Sequence, residues 1–526
     1  MKGNGIKMKK AICILLVLSM LFSLSACQNG GAKAVSSTTT DGAKSGSVIT
    51  IDRNSDTYSL DPARGGDNWD IFMVGIILEG LVKTGNDGKT IEPCLAESWT
   101  TSSDGLTYTF KLKPGVKFCD GTNVTTDDWI YSLKRTRDAK DGAWSFILSN
   151  MKDVTASDEN TLVITLNSPS GAFLSDLCMT ASGVMSKPYS EKVGDAGVAA
   201  KPVGTGAFML GDWKKNESMT FVQNPYYRDK TIPKTEKVVF NVVPEENTRV
   251  MQLQAGQVDA ICGVPFNRVD ELKKAGLKII ETPSTDVRYI SLNYKNPKLK
   301  DVRIRQALAY ATNRDDLNKA VFYDKAIKVD TFVAPSMPHF NNKLKSFDYN
   351  PTKAKQLLSD AGVTNLSLDL IIVSGDNADL QTGTMLKSQW AEAGVTLNLV
   401  PLDSSARKEQ RNNMTYDVLL SLITSDISDT SEVMELMCVK EMSNSMHLGW
   451  EGPQQEKAQT LVQEASRSMD EKERMSKYCE AQQIFQDDCV MIPLYLVPSI
   501  NGTQASVSDF IQTSLGAFRF DNLVKK

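Results

Sequence analysis

The chain has 526 residues, of which 41% are hydrophobic and 23% charged, and its formal net charge is -4 at pH 7. This length exceeds what one hydrophobic core supports, so two or more domains are expected. The mild acidity, with charges of both signs interspersed, argues against nucleic acid as a partner, because phosphate binding needs a basic surface.

The N-terminus carries a targeting signal. Basic residues from Lys7 to Lys10 precede an apolar run from Ala11 to Phe22, which is too short for a bilayer core that needs roughly 20 apolar residues. The sequence Leu-Ser-Ala-Cys at 24–27 resembles a bacterial lipobox. The resemblance implies a lipoprotein signal peptide over 1–26 and diacylglycerol on Cys27; the alternative is an ordinary signal peptide with a chance cysteine.

Residues 27–47 are mostly Gly, Ala, Ser, Thr and Lys, so they cannot bury enough apolar surface to offset their chain entropy. We expect a flexible linker between a lipid anchor on Cys27 and a folded body. The expected location is the extracytoplasmic side of the cell membrane, at the cell surface or in the periplasm.

Helices and short strands alternate along the folded body, which predicts α/β lobes joined by short crossings. Strands are predicted over 48–51, 107–112, 162–166, 258–261, 395–400 and 490–497. Helices are predicted over 70–81, 125–137, 245–255, 351–361, 381–393 and 470–487, and Asp301 caps a further helix. Thr126 is the predicted N-cap of the helix over 125–137.

The sequence lacks the patterns of a catalytic or metal centre. HExxH, GxSxG and GxGxxG are all absent, and His339 and His447 lie far from any His or Cys at ligand spacing. Beyond Cys27, seven cysteines remain, and none is in a CxxC pair. Because seven is an odd number, at least one thiol is free if the chain is a monomer. We favour the interpretation that these cysteines are buried free thiols in a reducing habitat. No catalytic residue, cofactor or metal is predicted.

Short motifs follow one another along nearly all of the mature chain. They are SLDP at 59–62, EGL at 79–81, PCLAESW at 93–99, DGLTYTF at 104–110, FCDGTNVTTDD at 118–128, PVGTGAF at 202–208, NPYY at 224–227, AGQVD at 255–259, DVRIRQAL at 301–308 and PLY at 493–495. In this order they resemble the family 5 extracytoplasmic solute-binding proteins, the peptide and nickel class of ABC-importer receptors.

The resemblance implies a two-lobed periplasmic-binding-protein-like fold of the cluster C type. Lobe I would comprise 48–80, 200–287 and 490–526, with an inserted subdomain at 81–199, and lobe II would comprise 288–489. It also implies a monomer that closes on a short peptide and delivers it to an ABC permease. Alternatives are a non-peptide solute (an oligosaccharide, an opine, haem or a metal chelate), peptide sensing without transport, and a surface peptidase.

The family's signature for a ligand amine is a Trp, then an Asp three residues later, then an acid-Pro pair. It aligns Asp426 with the amine-binding carboxylate, while Ile423 replaces the Trp and Thr430 replaces the Pro. The alternative for Asp426 is a turn cap. Arg411 aligns with a residue that contacts the ligand carboxylate in some oligopeptide receptors. The alternative interpretation is that Arg411 is a solvated arginine on a helix.

Residues of the first lobe complete the implied site. Asn68 and Trp69 fall on a loop expected to face the cleft, and Trp144 and Phe146 align with a loop that contacts peptide in the family. Aromatic rings of this kind accept varied side chains, although each could equally pack in a core.

Overall fold

The structure is a computed structural model that describes residues 47–526, apart from the side chains of residue 404 and residues 443–445. The predicted signal peptide, Cys27 and residues 28–46 of the predicted linker lie outside the described residues. Within the described part, no helix combines the length and the apolar character that a membrane crossing requires. The seven cysteines of this part are all free thiols, four of them buried.

Sheet I has seven strands. In spatial order they are Lys278–Thr282, Ser499–Thr503, Ala260–Cys262, Val48–Arg53, Lys237–Val242, Ser218–Gln223 and Phe208–Lys214. Val48–Arg53 runs parallel to both of its neighbours, with Ile51 opposite Phe240 and Ala260. One face packs on helix Asn68–Ile77 and a group of phenylalanines, and the other packs on helices Glu246–Gln254 and Val269–Lys274.

A four-stranded antiparallel sheet, sheet III, is inserted after the first helix. Its strands are, in spatial order, Ala96–Thr101, Thr107–Leu112, Thr161–Leu166 and Met151–Asp158. Helix Thr126–Asp138 covers it, with Trp129 fully buried. The N-cap of this helix is Thr125, which forms a capping box with Asp128, so the prediction of Thr126 as the cap was wrong by one residue.

Sheet II has six strands around a second large core. They are, in spatial order, Ile327–Lys328, Met491–Leu496, Val287–Leu292, Val418–Ile423, Leu366–Val373 and Val395–Leu402. Leu366–Val373 pairs in parallel with its two neighbours, and Val287–Leu292 is antiparallel to its neighbours. Leu-rich and Ile-rich faces of these strands pack on Trp390 of the long helix beside them.

The remaining elements are short strands and surface helices. Strands Val82–Thr84 and Ile91–Pro93, Val507–Ser508 and Val524–Lys525, and Ile511–Gln512 and Phe518–Arg519 form three small hairpin-like pairs. The other α-helices are Phe173–Asp176, Lys187–Ala200, Val302–Tyr310, Arg314–Leu317, Pro351–Asp360, Asn377–Glu392, Ser404–Asn412, Ser431–Cys438, Lys440–Met446, Pro453–Arg467 and Glu471–Asp487. Single turns of 3-10 helix lie at Ser145–Leu148, Thr180–Ser182, Phe266–Arg268 and Pro297–Leu299, and a π-helical turn at Asn318–Phe322.

The chain crosses between sheets I and II twice, after Lys278–Thr282 and after Met491–Leu496. The second crossing comes later than the predicted lobe boundary at 490, because Met491–Leu496 pairs with Val287–Leu292 in sheet II. Both crossings are short, and Ser284 ties them together by donating its hydroxyl to the Val497 carbonyl. Two adjacent short crossings are the arrangement expected of a hinge.

Candidate functional site

A cavity of about 780 Å³ lies between sheets I and II. Asn54, Pro244 and Gly263 line it from sheet I, each just beyond the carboxyl end of a strand. From the other side Gly375 and Asp376 line it, after the carboxyl end of Leu366–Val373. Ligands of open α/β sheets bind at carboxyl ends of strands, so this cavity is the candidate binding cleft.

Trp69 forms part of the wall of the cleft. Asp67 caps its helix by accepting the Trp69 backbone N–H at 2.9 Å, which fixes the side chain at the first turn. The indole N–H donates to Asn54 at 2.9 Å, and the ring stacks on Phe518 with centroids 6.2 Å apart. The guanidinium of Arg53 lies 5.1 Å from the ring centroid. The structure therefore places Trp69 at the cleft, and ligand contact by it stays a prediction.

Charged groups of both signs also line the cleft. Arg249 is buried and donates to the carbonyls of Val243 and Pro244, while its Nε has no hydrogen-bond partner among the described residues. Across the cleft, Arg288 pairs with Asp286 at 2.8 Å. Burial raises the pKa of Asp286 despite this arginine. A ligand with both charged and polar groups suits such a lining.

A second cavity of about 150 Å³ continues the cleft at the carboxyl end of Val418–Ile423. Phe72 and Phe518 separate it from the larger cavity, with Phe518 stacked on Trp69. Gln512 lines the larger cavity and Thr513 the smaller one, so the two are adjacent. Asp426 also lines the smaller cavity.

The backbone around Asp426 is held by Glu432. Glu432 Oε2 accepts the N–H groups of Asp426 and Ile427 at 2.8 and 3.3 Å, and Asp429 accepts the Ser431 N–H at 2.8 Å. These two acids therefore perform the capping that was the alternative role for Asp426. Burial raises the pKa of the Asp426 carboxyl to about 6, whereas the neighbouring Glu432 side chain acts to lower it.

A third cavity of about 370 Å³ lies on the far side of this turn. Phe146 and Asp176 line it from the inserted segment, and Glu432 and Glu435 line it from helix Ser431–Cys438. Burial and the charge of nearby Asp429 raise the pKa of Asp176 well above its usual range. Despite these acids, no group of His, Cys, Asp and Glu within residues 47–526 has the arrangement of a metal site.

The inserted segment and the elements beside sheet II touch directly at this third cavity. The Gly171 N–H donates to the Ser466 carbonyl at 3.3 Å, and the hydroxyls of Ser175 and Ser428 are 3.2 Å apart and buried. The cleft is therefore closed over at this end by contacts between residues far apart in the chain.

The chain is similar to known proteins in both sequence and fold. The profile of the bacterial extracellular solute-binding proteins, family 5, matches residues 90–444. The chain belongs to this family. The dipeptide-binding protein of Escherichia coli (strain K12) is 26% identical over 468 residues, which are 82% of this chain and 85% of that protein. The heme-binding protein A of Haemophilus influenzae is 27% identical over 468 residues, 83% of this chain and 84% of that protein.

A solved structure agrees with the fold of this family 5 protein. The periplasmic binding protein DppA from Helicobacter pylori, in complex with peptide STSA, superposes with a TM-score of 0.81 and 26% identity. The match covers 91% of this chain and 98% of that chain. The predicted family and the two-lobed α/β periplasmic-binding-protein fold are thereby confirmed. The members of this family are bacterial extracellular solute-binding proteins.

Of the other residues predicted for the site of this family 5 protein, three lie away from the cavities. Arg411 is half-buried on helix Ser404–Asn412, where its charge lies near His447 and Tyr416. Asn68 is exposed at the first turn of its helix. Trp144 is buried, and its indole N–H donates to the Gly65 carbonyl at 2.5 Å. None of the three lines a cavity described above.

The structure thus places Trp69, Asp426 and Phe146 at three different cavities. It gives Trp144 a packing role, because its only polar atom is already bonded within the fold. Sequence reasoning missed Glu432 and Asp176. No spacing in the sequence singles out either residue, since their meeting with Asp426 depends on the turn after Val418–Ile423 and on the inserted segment.

Proposed function

We propose that this family 5 protein binds a short peptide whose terminal ammonium contacts Asp426, and that it delivers the peptide to an ABC importer. One observation carries the proposal: the Asp426 carboxyl lines a cavity next to the cleft and has no cationic partner among the described residues. A carboxylate taken out of water is costly unless it is paired. A ligand ammonium supplies the missing partner through charge-assisted hydrogen bonds.

The rest of the cleft suits the main chain of a peptide. Beyond Asp426 the cleft widens to about 780 Å³, within the roughly 300–1,000 Å³ range of ligand pockets. Asn54, Asn501 and Gln512 line it with amide groups, which both donate and accept hydrogen bonds as peptide groups do. The DppA relative, solved with a bound peptide, supports the same ligand class.

The proposal also includes the location and state of the protein. Diacylglycerol on Cys27 would anchor a monomer outside the cell membrane, and the linker over 27–47 would let it reach a permease repeatedly. No catalytic step is proposed. Sensing of peptides without transport would use the same closed cleft.

A second candidate ligand is a non-peptide solute. It is favoured by the replacement of the family's Trp and Pro by Ile423 and Thr430, and by the relative named as a heme-binding protein. Such a ligand would use the wide, mixed-charge part of the cleft around Arg249 and Arg288 rather than Asp426.

The test begins with ligand identity. The protein without its signal peptide is purified from its native cells, unfolded, and the released small molecules are identified by mass spectrometry. We expect short peptides. Recovery of haem, sugar or another solute without an amine would contradict the proposal.

Calorimetry with the recovered peptide then tests Asp426. Asp426→Asn should weaken binding by about 2–5 kcal/mol, because it strands a desolvated ammonium. N-acetylation of the peptide should cost the wild type a similar amount and the variant little. Asp212→Asn, an exposed acid on strand Phe208–Lys214, is the matched control and should bind like the wild type. An unchanged dissociation constant for Asp426→Asn would refute the assignment.

A further inference from the structure

The second cavity, of about 150 Å³, contains an arginine that the proposed function leaves unused. Arg519 lines this cavity from strand Phe518–Arg519, directly after the ring that separates it from the larger cavity. In the described part of the chain its guanidinium donates only to backbone carbonyls, those of Phe518 at 3.5 Å and Thr84 at 3.1 Å. Its Nε is buried and has no hydrogen-bond partner within residues 47–526. Arg519 is therefore a cation to which no described carboxylate is bonded.

The other cations of this cavity already have partners. Arg228 donates to both carboxylate oxygens of Glu79 at 2.7 Å, and Lys83 pairs at 3.7 Å with a glutamate outside the cavity. Among acids, Asp521 acts most strongly on Arg519, yet the two do not form an ion pair in the region that the structure describes. Arg519 is thus the cation of this cavity that a ligand can still pair with.

Asp426 lines the same cavity and also lacks an ion-pair partner among the described residues. It lies just beyond a strand of sheet II, whereas Arg519 follows Phe518 of the core beside sheet I. Each residue is fixed by bonds of its own: the Asp426 backbone N–H donates to Glu432 at 2.8 Å, and Arg519 donates to the Thr84 carbonyl. An unpaired acid and an unpaired base therefore line one cavity without meeting each other.

A charge removed from water is costly unless it is paired. One group that pairs with both charges is the head group of an α-amino acid, in which a single carbon carries a free ammonium and a free carboxylate. The ammonium donates to a carboxylate and the carboxylate accepts from a guanidinium, both through charge-assisted hydrogen bonds. Such a head group has about six non-hydrogen atoms, as benzene does, and a cavity of about 150 Å³ holds benzene.

We infer that the second cavity binds an α-amino-acid head group, with its ammonium on Asp426 and its carboxylate on Arg519. The place of the ammonium rests on the proposed function, and the carboxylate narrows the ligand class. The first residue of an ordinary peptide has lost this carboxylate to the peptide bond. Two kinds of ligand keep it: a free amino acid, and a peptide whose first residue is an acidic amino acid linked through its side-chain carboxyl.

Arg519 thereby becomes a residue that determines specificity. An α-linked peptide presents a neutral carbonyl to the guanidinium, whereas a side-chain-linked peptide presents a carboxylate, which forms the stronger, charge-assisted bond. The remainder of a side-chain-linked peptide would extend into the adjacent cleft of about 780 Å³. A free amino acid would fill the second cavity alone.

Calorimetry with two isomeric dipeptides tests the inference in the wild type. γ-Glutamyl-alanine and α-glutamyl-alanine carry the same charged groups, but only the γ-linked isomer keeps its ammonium and a carboxylate on one carbon. We expect the γ-linked isomer to bind at least about tenfold more tightly, as one hydrogen bond to a charged group requires. Free glutamate and free alanine distinguish the two sources. Binding as tight as that of the γ-linked isomer identifies a free amino acid as the ligand, and weaker binding identifies a side-chain-linked peptide.

Arg519→Gln should remove the preference between the isomers. Its affinity for the γ-linked isomer should fall at least about tenfold, while its affinity for the α-linked isomer should change little. Arg303→Gln, at an exposed arginine of helix Val302–Tyr310, is the matched control and should keep the preference. The comparison of isomers in the wild type stands even if Arg519→Gln does not fold.

Equal affinity for the two isomers, or tighter binding of the α-linked one, would overturn the inference and leave the peptide function standing. Absence of binding by both dipeptides and both amino acids would also overturn it. In that case peptides recovered from the native protein would still support the proposed function, so the two failures are distinguishable.

Discussion

Gly171 lies where the inserted segment touches the helices beside sheet II, and we predict that Gly171→Ala holds the cleft open. A methyl group at this position would lie 2.8 Å from the Ser468 carbonyl oxygen and 2.9 Å from the guanidinium of Arg474. Neither group can give way easily, because one is backbone and the other is a buried arginine paired with Asp429 at 2.7 Å. Gly171 has no positive φ, so the added methyl strains only this contact.

The expected magnitude follows from the clash. Overpacking of a well-packed contact costs about 1–3 kcal/mol. If the cleft opens to relieve the clash, all of this cost falls on the closed state, and the affinity for any ligand that needs closure falls about 5- to 150-fold. The bond from Gly171 N–H to the Ser466 carbonyl is lost as well.

Small-angle X-ray scattering of the ligand-free protein measures the opening of the cleft directly. We expect a larger radius of gyration for Gly171→Ala than for the wild type, with an unchanged urea midpoint because each lobe keeps its own core. Gly66→Ala is the control: Gly66 is exposed, and its added methyl would meet only Ala143 on the same side of the cleft. Scattering and ligand affinity identical to those of the wild type would refute the reasoning.

Two further predictions concern stability and reactivity. Arg305 is fully buried and paired with Asp488 at 2.7 Å, so Arg305→Met should lower the free energy of unfolding in urea by about 3–5 kcal/mol. Arg303→Met, on the exposed face of the same helix, should lower it by under about 1 kcal/mol. Equal losses for the two variants would contradict this prediction. Burial raises the pKa of the Cys262 and Cys489 thiols to about 12, so peptide mapping after iodoacetamide treatment of the native protein should find the more exposed Cys479 labelled ahead of both.

Local signals in the sequence were sufficient for many elements of the fold. The alternation over 107–112 gives strand Thr107–Leu112, and Asp301 caps its helix as predicted. The helix predicted over 470–487 is Glu471–Asp487, with Asp470 as its N-cap. The helix predicted from residue 381 begins earlier, at Asn377 with Asp376 as N-cap, because its first turn carries no apolar period that marks it. Local periodicity identifies an element well, whereas its ends depend on single capping bonds.

The candidate site could be predicted only in part, because it is built from contacts between distant residues. A motif identified Asp426, and the structure places it at the wall of the second cavity. The acid across the third cavity, Asp176, lies 250 residues earlier in the chain. Trp144 and Phe146 share one short segment, yet one ring is bonded to Gly65 and the other lines a cavity. No local pattern distinguishes the two.

The two departures from the family's amine signature acquire a physical meaning in the structure. Ile423 is buried in the core beside sheet II, and the Thr430 hydroxyl bonds to the carbonyl of Pro338. Neither side chain lines the cavity that contains Asp426. Their replacement therefore changes the support of the turn rather than the surface that a ligand meets. Glu432 adds to that support, because its Oε2 accepts the backbone N–H groups of Asp426 and Ile427.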